Sequence, residues 1–208
     1  MPLLQCPSAE EIITLMKSPK KADRELIEKA YKFAKNAHAG QKRYSGEPYF
    51  NHVAWVGLNL ATIHVDAVAI AAGILHDTIE DAGVSAKTIE DEFGKDVLKL
   101  VEGVTKLGKL RYHGVERHVE SLRKFFIAMS DDIRVLLIKL ADRLHNIQTL
   151  EYVPEAKRKR IALETLEIHA RLADRFGMGK WRNIFEDAAF PYAFPTEYER
   201  VAAIIKTK

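Results

Sequence analysis

The sequence predicts an all-α protein of about ten helices. Helix-start and helix-stop residues recur along the chain, apolar residues fall at helical spacing, and strand signals are almost absent. No internal repeat, low-complexity stretch or Gly/Ser-rich linker interrupts that pattern.

The elements follow in order. Ser8 and Glu11 make a capping box for a first short helix. Asp23 is placed to cap a helix through LIEKAYKFAKNA that stops near Gly40. GQKRYSGEP has the turn chemistry of a loop, and a helix follows over about 51–61. Asp66 caps an apolar helix at about 67–76, which is hydrophobic on every side and so is expected to be central and buried. Ser85 caps a short helix that ends at Phe93-Gly94, and another runs over about 95–105. The segment LGKLRYHGVE, 107–116, has glycines and no clear period, and reads as a flexible loop. Helices are then expected over about 117–129, 132–150 and 155–176, separated by Ser130-Asp131 and by Pro154 and closed by Gly177. A last pair, KWRNIFEDAAF and TEYERVAAII, is split by Pro191 and Pro195.

Composition excludes several classes. With 47% hydrophobic and 29% charged residues, the chain reads as a soluble globular protein with a full core. No apolar run approaches the roughly 18 residues that span a bilayer, and the N-terminus lacks the basic start and long apolar stretch of a signal peptide. The single cysteine, Cys6, leaves neither an internal disulfide nor a thiolate metal site. These features predict a cytoplasmic protein without membrane attachment. A net charge of +3 gives no reason to expect nucleic acid as a partner. The basic run KRKR at 157–160 reads as a solvated helix face, with the rim of an anionic-ligand site as the alternative.

Chemistry concentrates where the apolar run AVAIAAGIL breaks into His76, Asp77, Glu80 and Asp81. Ionisable groups beside such a run cost several kcal/mol unless something pairs with them. Adjacent residues on a helix point about 100° apart, so His76 and Asp77 can reach one ion only where the helix ends, and the break over 78–83 supplies that end. An imidazole nitrogen with a carboxylate oxygen suits Mn²⁺, Fe²⁺ or Zn²⁺. The dipeptide is also compatible with a buried His–Asp hydrogen bond beside a wet acidic loop. In the helix 132–150, Lys139, Asp142, Asn146 and Thr149 share one face beside a stripe of Leu136, Leu140, Leu144 and Ile147. A polar stripe alone is a solvent face, but Asp142 lies inside core-like LLIKLADRL. A further histidine, His52, opens the helix after the GEPYFN stretch.

The order His52, His76-Asp77, Asp142 resembles the H…HD…D signature of the HD metal-dependent phosphohydrolase superfamily. The segments HAGQKRYSGEPYFNH, GILHDTIEDAGV, EFGKDVLKLVEGVTKL, ESLRKFFIAMSDDIRVLLIKLADRLHNIQTL and LADRFGMGKWRNIFEDAAFPYAFPTEY closely resemble the hydrolase domain of RelA/SpoT-homologue alarmone enzymes, over roughly 22–201. That resemblance implies an HD-type helical fold in one hydrolase domain, with a core at about 22–178 and a helical extension at 179–208. It implies removal of the 3′-pyrophosphate of ppGpp and pppGpp with Mn²⁺, giving GDP or GTP and pyrophosphate. By the same resemblance His52, His76, Asp77 and Asp142 are metal ligands and Glu80 and Asp81 the catalytic acidic pair. Arg43 and Ser45 belong to the loop that holds the guanine nucleotide, and Asn146 and Thr149 line its site. Arg43 can stack its guanidinium on a purine. Lys139 can neutralise phosphate charge or form a structural salt bridge.

Two positions depart from the family pattern. Tyr44 stands where a basic residue is common, leaving a stacking surface in place of a phosphate grip, and Val53 stands where proline is usual, a local packing change. His38, His64, His113, His118, His145 and His169 read as structural or surface groups. The chain is either a stand-alone hydrolase or part of a longer enzyme. Other readings are an HD phosphohydrolase of another nucleotide and a non-catalytic nucleotide-binding regulator, and retention of all six metal and acidic residues argues against the second.

Overall fold

The computed structural model describes residues 5–108 and 131–206. The expected helix at 117–129 and most of the loop at 107–116 lie outside them. Among the described residues regular structure is entirely helical, apart from one isolated bridge between Lys42 and Pro48. By internal packing the chain forms two compact units, Met1–Asp142 and Arg143–Lys208.

Local signals set most of the boundaries in the first unit. Ser8 and Glu11 exchange cap bonds at the start of α1 (Ala9–Thr14), with Ser8 N–H donating to Glu11 Oε2 at 2.7 Å. α2 (Lys21–Ala37) begins earlier than the expected cap at Asp23. Asp23 sits instead at the third helical position, and its carboxylate accepts the Lys20 N–H at 2.8 Å. There it satisfies an orphan donor and meets the positive end of the helix dipole, so its acidic character serves the helix from inside. α3 (Tyr49–Thr62) starts directly after Pro48. Asp66 caps α4 (Ala67–Leu75) by accepting the Ala69 N–H at 2.8 Å. One turn, α5 (Thr78–Asp81), follows, and then α6 (Ala86–Gly108), which Gly94 breaks with φ 84° as the sequence predicts. α7 (Ile133–Gln148) carries Asp142.

The core of this unit is α4, buried at every position except Val68 and packed against α2, α3 and α6. Each fully buried Ile or Leu of α4 contributes about 1.5–3 kcal/mol relative to exposure. α3 and α4 run antiparallel across a short connection: Gly57 faces Ile74, Leu60 faces Gly73, and the His52 ring lies 5.5 Å from the His76 ring. Glycines at 57 and 73 let the two backbones approach closely, and that approach brings His52 opposite the end of α4.

In the second unit a short turn (Leu150–Tyr152) leads to α8 (Glu155–Glu164), a widened helical segment (Thr165–Ala170), α9 (Arg171–Arg175), α10 (Gly179–Ala193) and α11 (Pro195–Lys206). The widened turn interrupts the single helix expected over 155–176, and within it His169 Nδ1 lies 3.2 Å from the Glu164 carbonyl, five residues back. Gly177 closes the run with φ 68°. Pro191 does not split the last pair but sits in the final turn of α10. Trp181, Phe185, Ala189 and Ala193 form one buried stripe along that helix, and their burial outweighs the single backbone bond that proline removes near a helix end. In the basic run, Arg158 turns back onto the carbonyls of Val153 and Glu151 at 2.6 and 2.7 Å.

An alanine at Gly57 would place its Cβ 2.6 Å from Ile74 Cγ1, close to the Ile74 backbone where little can yield. Overpacking of this kind costs about 1–3 kcal/mol, against about 1 kcal/mol gained in helix propensity. Gly57→Ala should therefore lower the urea midpoint of unfolding, and an unchanged midpoint would mean that α3 and α4 have room to spare.

Candidate metal centre

Three elements of the first unit deliver the donors. His52 lies in the first turn of α3, His76 and Asp77 occupy the two-residue break between α4 and α5, and Asp142 comes from α7. The break releases His76 and Asp77 from helical spacing, as the sequence requires for both to face one point. Arg134 fastens α7 to the start of α4, donating to Asp132 at 2.7 Å and to Asp66 at 2.9 Å. Val135 packs against Gly103 of α6.

The four side chains converge. His52 Nε2 lies 3.2 Å from Asp142 Oδ1 and 3.7 Å from Asp77 Oδ2. His76 Nε2 lies 3.1 Å from Asp77 Oδ2 and 3.9 Å from Asp142 Oδ1. One donor atom each of His52, His76 and Asp142 falls within 4.8 Å of the others, an arrangement that can hold a metal ion. The His76 ring tests that fit. Its Nδ1 donates to the Gly73 carbonyl at 2.8 Å, while Nε2 is buried and makes no hydrogen bond in spite of its nearness to Asp77. In the neutral ring, a backbone acceptor that holds the proton on Nδ1 leaves the lone pair on Nε2, the form a metal ligand needs.

The acidic pair is not symmetric. Asp81 is tethered: its carboxylate accepts the Tyr49 hydroxyl at 2.8 Å and its carbonyl accepts Gln41 Nε2 at 2.7 Å. Glu80 is exposed, and no hydrogen bond or ion pair holds its carboxylate among the described residues. Tyr49 also donates to Asp77 Oδ2 at 2.7 Å. Sequence reasoning passed over Tyr49 and Gln41; the available signal for Tyr49 is its place three residues before His52, on the same helix face.

The remaining residues singled out from sequence are distributed as follows. Lys139 Nζ pairs with Asp142 Oδ2 at 2.7 Å, leaving Oδ1 toward His52. The Arg43 guanidinium carbon lies 5.8 Å from the Tyr49 ring centroid. Tyr44 is 66% exposed, and Ser45 donates to Glu47 Oε2 at 3.1 Å. Asn146 follows Asp142 by one turn of α7, and the Thr149 hydroxyl beyond the helix end donates to the His145 carbonyl at 3.2 Å; both belong to the second unit. Val53 is buried in the core. His38 is buried against the Tyr49 ring, and His145 and His169 are buried in the second unit.

A family model described as HD domain matches residues 30–179. The chain belongs to the HD domain family. It is 46% identical over 199 residues to the guanosine-3′,5′-bis(diphosphate) 3′-pyrophosphohydrolase of Aquifex aeolicus, a match covering 96% of this chain and 28% of that protein. It is 48% identical over 177 residues to the GTP pyrophosphokinase rsh of Brucella ovis, covering 85% of this chain and 24% of that protein. A solved structure described as a metazoan ortholog of SpoT that hydrolyses ppGpp matches with a TM-score of 0.58 at 24% identity, over 83% of this chain and 96% of that one. That likeness supports the HD fold. The chain spans about a quarter of the length of the curated relatives it matches.

Charge within this HD domain is balanced at short range. Burial pushes His52 down to about 4, helped by the Arg43 guanidinium and opposed by Asp142. Burial works against the charged form of His76 too, but Asp77 beside it and then Asp142 lift it to about 9. Burial raises both aspartates, yet His76 holds Asp77 below the usual carboxylate range, and Lys139 followed by His52 does the same for Asp142. Burial and then Asp77 drive Tyr49 far above the usual phenol range, so its hydroxyl stays a donor.

The protonated imidazole sets the expected pH dependence of metal binding. A cation at these donors must displace the His76 proton, while His52 is already neutral. Divalent-ion affinity should therefore climb with pH and level off above about 9. Calorimetry in two buffers of different ionisation enthalpy should show about one proton released per ion near about pH 7.5. Binding without proton release would remove His76 from the ligand set.

Proposed function

We propose that the chain is a Mn²⁺-dependent hydrolase of the 3′-pyrophosphate of ppGpp and pppGpp. The observation that carries this reading is the convergence of His52, His76, Asp77 and Asp142 beside an acidic turn. It lies in a chain that aligns along 96% of its length with a protein named for that activity. Other relatives carry the name GTP pyrophosphokinase. A buried His/Asp donor set suits hydrolysis by an activated water better than transfer from a nucleoside triphosphate. We treat the chain as one hydrolase domain, since the family match at 30–179 runs across both packing units. This work belongs with the nucleotide pool of the cytoplasm.

The donor set of nitrogen and carboxylate oxygen, without thiolate, accommodates Mn²⁺. When bound there, the ion supplies charge that acidifies a water and offsets the negative phosphates. Asp81, held in place by Tyr49 and Gln41, with Glu80 beside it, takes the proton of the attacking water. Water adds to the phosphorus attached to the ribose 3′ oxygen, and that P–O bond breaks. The 3′ oxygen leaves as a hydroxyl with a proton from solvent, and Asp81 returns its proton to solvent. Arg43 stacks on the guanine with Tyr44 and Ser45 on the same loop, and Lys139 keeps Asp142 ionised while facing the phosphates. The ribose-side roles of Asn146 and Thr149 rest on the family resemblance.

Incubation with ppGpp and Mn²⁺ should give GDP and pyrophosphate by chromatography, chelation should stop the reaction, and GDP and GTP should survive. Equal turnover of GTP and ppGpp would favour a general nucleotide phosphohydrolase. Asp142→Ala should abolish Mn²⁺ binding while its helical circular-dichroism spectrum persists.

Separate variants divide chemistry from substrate binding. Asp81→Asn or Glu80→Gln should cut kcat by about two orders of magnitude with little change in Mn²⁺ affinity. Full turnover in both variants would reduce the acidic turn to a solvated loop. Arg43→Ala should mainly raise KM, because stacking persists from ground state to transition state; an effect confined to kcat would contradict that role.

A further inference from the structure

We propose that Tyr49 is a positioning residue that ties the ligand Asp77 to the acid–base group Asp81, with the loop at 38–48 as its support. The inference rests on the reading of this site as a metal-dependent hydrolase. Tyr49 brings one hydroxyl to two carboxylates, 2.7 Å from Asp77 Oδ2 and 2.8 Å from Asp81 Oδ2. Its single hydrogen is shared, so both carboxylates are held to one point. The Asp77 oxygen that it touches is the one facing both imidazoles. A shift of Tyr49 therefore moves a metal ligand and the acid–base group together.

The loop holds Tyr49 in that position. Tyr49 N–H donates to the Gln41 carbonyl at 2.9 Å and Arg43 N–H to the Glu47 carbonyl at 2.9 Å, which closes the turn and sets Gln41 beside Tyr49. Gln41 also grips Asp81, donating Nε2 to its carbonyl at 2.7 Å while Gln41 Oε1 meets His38 Nδ1 at 2.7 Å. The His38 ring stacks on the Tyr49 ring at 4.9 Å, and Arg43 lies over that ring at 5.8 Å. Asp81 is thus held by side chain and backbone, from the first residue of α3 and from the loop before it. No comparable attachment reaches Glu80 among the described residues, which makes Asp81 the oriented member of the pair.

Tyr49→Phe keeps the ring and its packing and removes only the hydroxyl. Loss of such an outer hydrogen bond to a ligand lowers metal affinity or activity by about 10–100-fold. We expect Mn²⁺ affinity by calorimetry to fall about tenfold and kcat to fall about 10–100-fold with KM within about twofold. Combined with Asp81→Asn, the tyrosine change should cost little further kcat, because the two residues act as one unit. Equal loss of kcat in both backgrounds would overturn the proposal, as would wild-type kcat and affinity in Tyr49→Phe. If the protein binds Mn²⁺ but leaves ppGpp intact, the substrate reading fails on its own. The affinity comparison then decides for Tyr49, with a tenfold loss supporting the tether and an unchanged value overturning it. A wild-type protein that binds no Mn²⁺ would overturn both.

Discussion

Two histidines and Asp142, buried at the end of an apolar helix with half-buried Asp77 beside them, set the terms for the rest of the structure. A carboxylate in such a setting costs several kcal/mol unless charge and hydrogen bonds answer it. Here Asp142 faces Lys139 on one oxygen and His52 on the other, while Asp77 faces His76 and the Tyr49 hydroxyl. With Lys139 and the His76 imidazolium both charged, the two carboxylates are neutralised. A divalent cation in place of the imidazolium proton leaves the centre with a net positive charge. Because ion and proton compete for the same imidazole, proton release and metal binding are linked at this centre.

Helix packing creates the geometry. The antiparallel approach of α3 and α4, close enough to need glycine at 57, sets His52 across from the residue that ends α4. The two-residue break there turns His76 and Asp77 toward one point. Arg134 and the Gly103–Val135 contact hold α7 against this pair, so Asp142 arrives from a third direction. Helices carry His52 and Asp142, and a two-residue break between two helices carries His76 and Asp77, a sound basis for a site that must hold its ligands to within a fraction of an ångström.

The acidic turn is built differently. It is one helical turn, too short to hold itself, and its order is lent by Gln41 of the loop before α3 and by Tyr49, the first residue of α3. Glu80 and Asp81 look equivalent in the sequence and in the family pattern, but only Asp81 receives this support. The nucleotide-facing candidates Arg43, Tyr44 and Ser45 lie on the same loop, so one segment both orients Asp81 and offers the stacking surface.

The sequence by itself determined the elements whose signals are local. Ser8, Asp66, Ser85, Gly94 and Gly177 act within three or four residues of themselves, and each marks the boundary that its chemistry implies. The all-round apolar character of α4 likewise specified a buried helix, and the donor types at 52, 76, 77 and 142 specified the chemistry available to them. Local rules failed where tertiary burial outweighed them. Pro191 continues a helix because its neighbours complete a buried stripe, and the run after Pro154 widens at Thr165–Ala170. Tertiary structure alone decided that Tyr49 bridges Asp77 and Asp81, and that Gln41 reaches a carbonyl forty residues away. It also decided that Lys139 spends its charge on Asp142. Hydrogen bonds of that range depend on how α3 seats on α4, and no periodicity or cap along the chain encodes that seating.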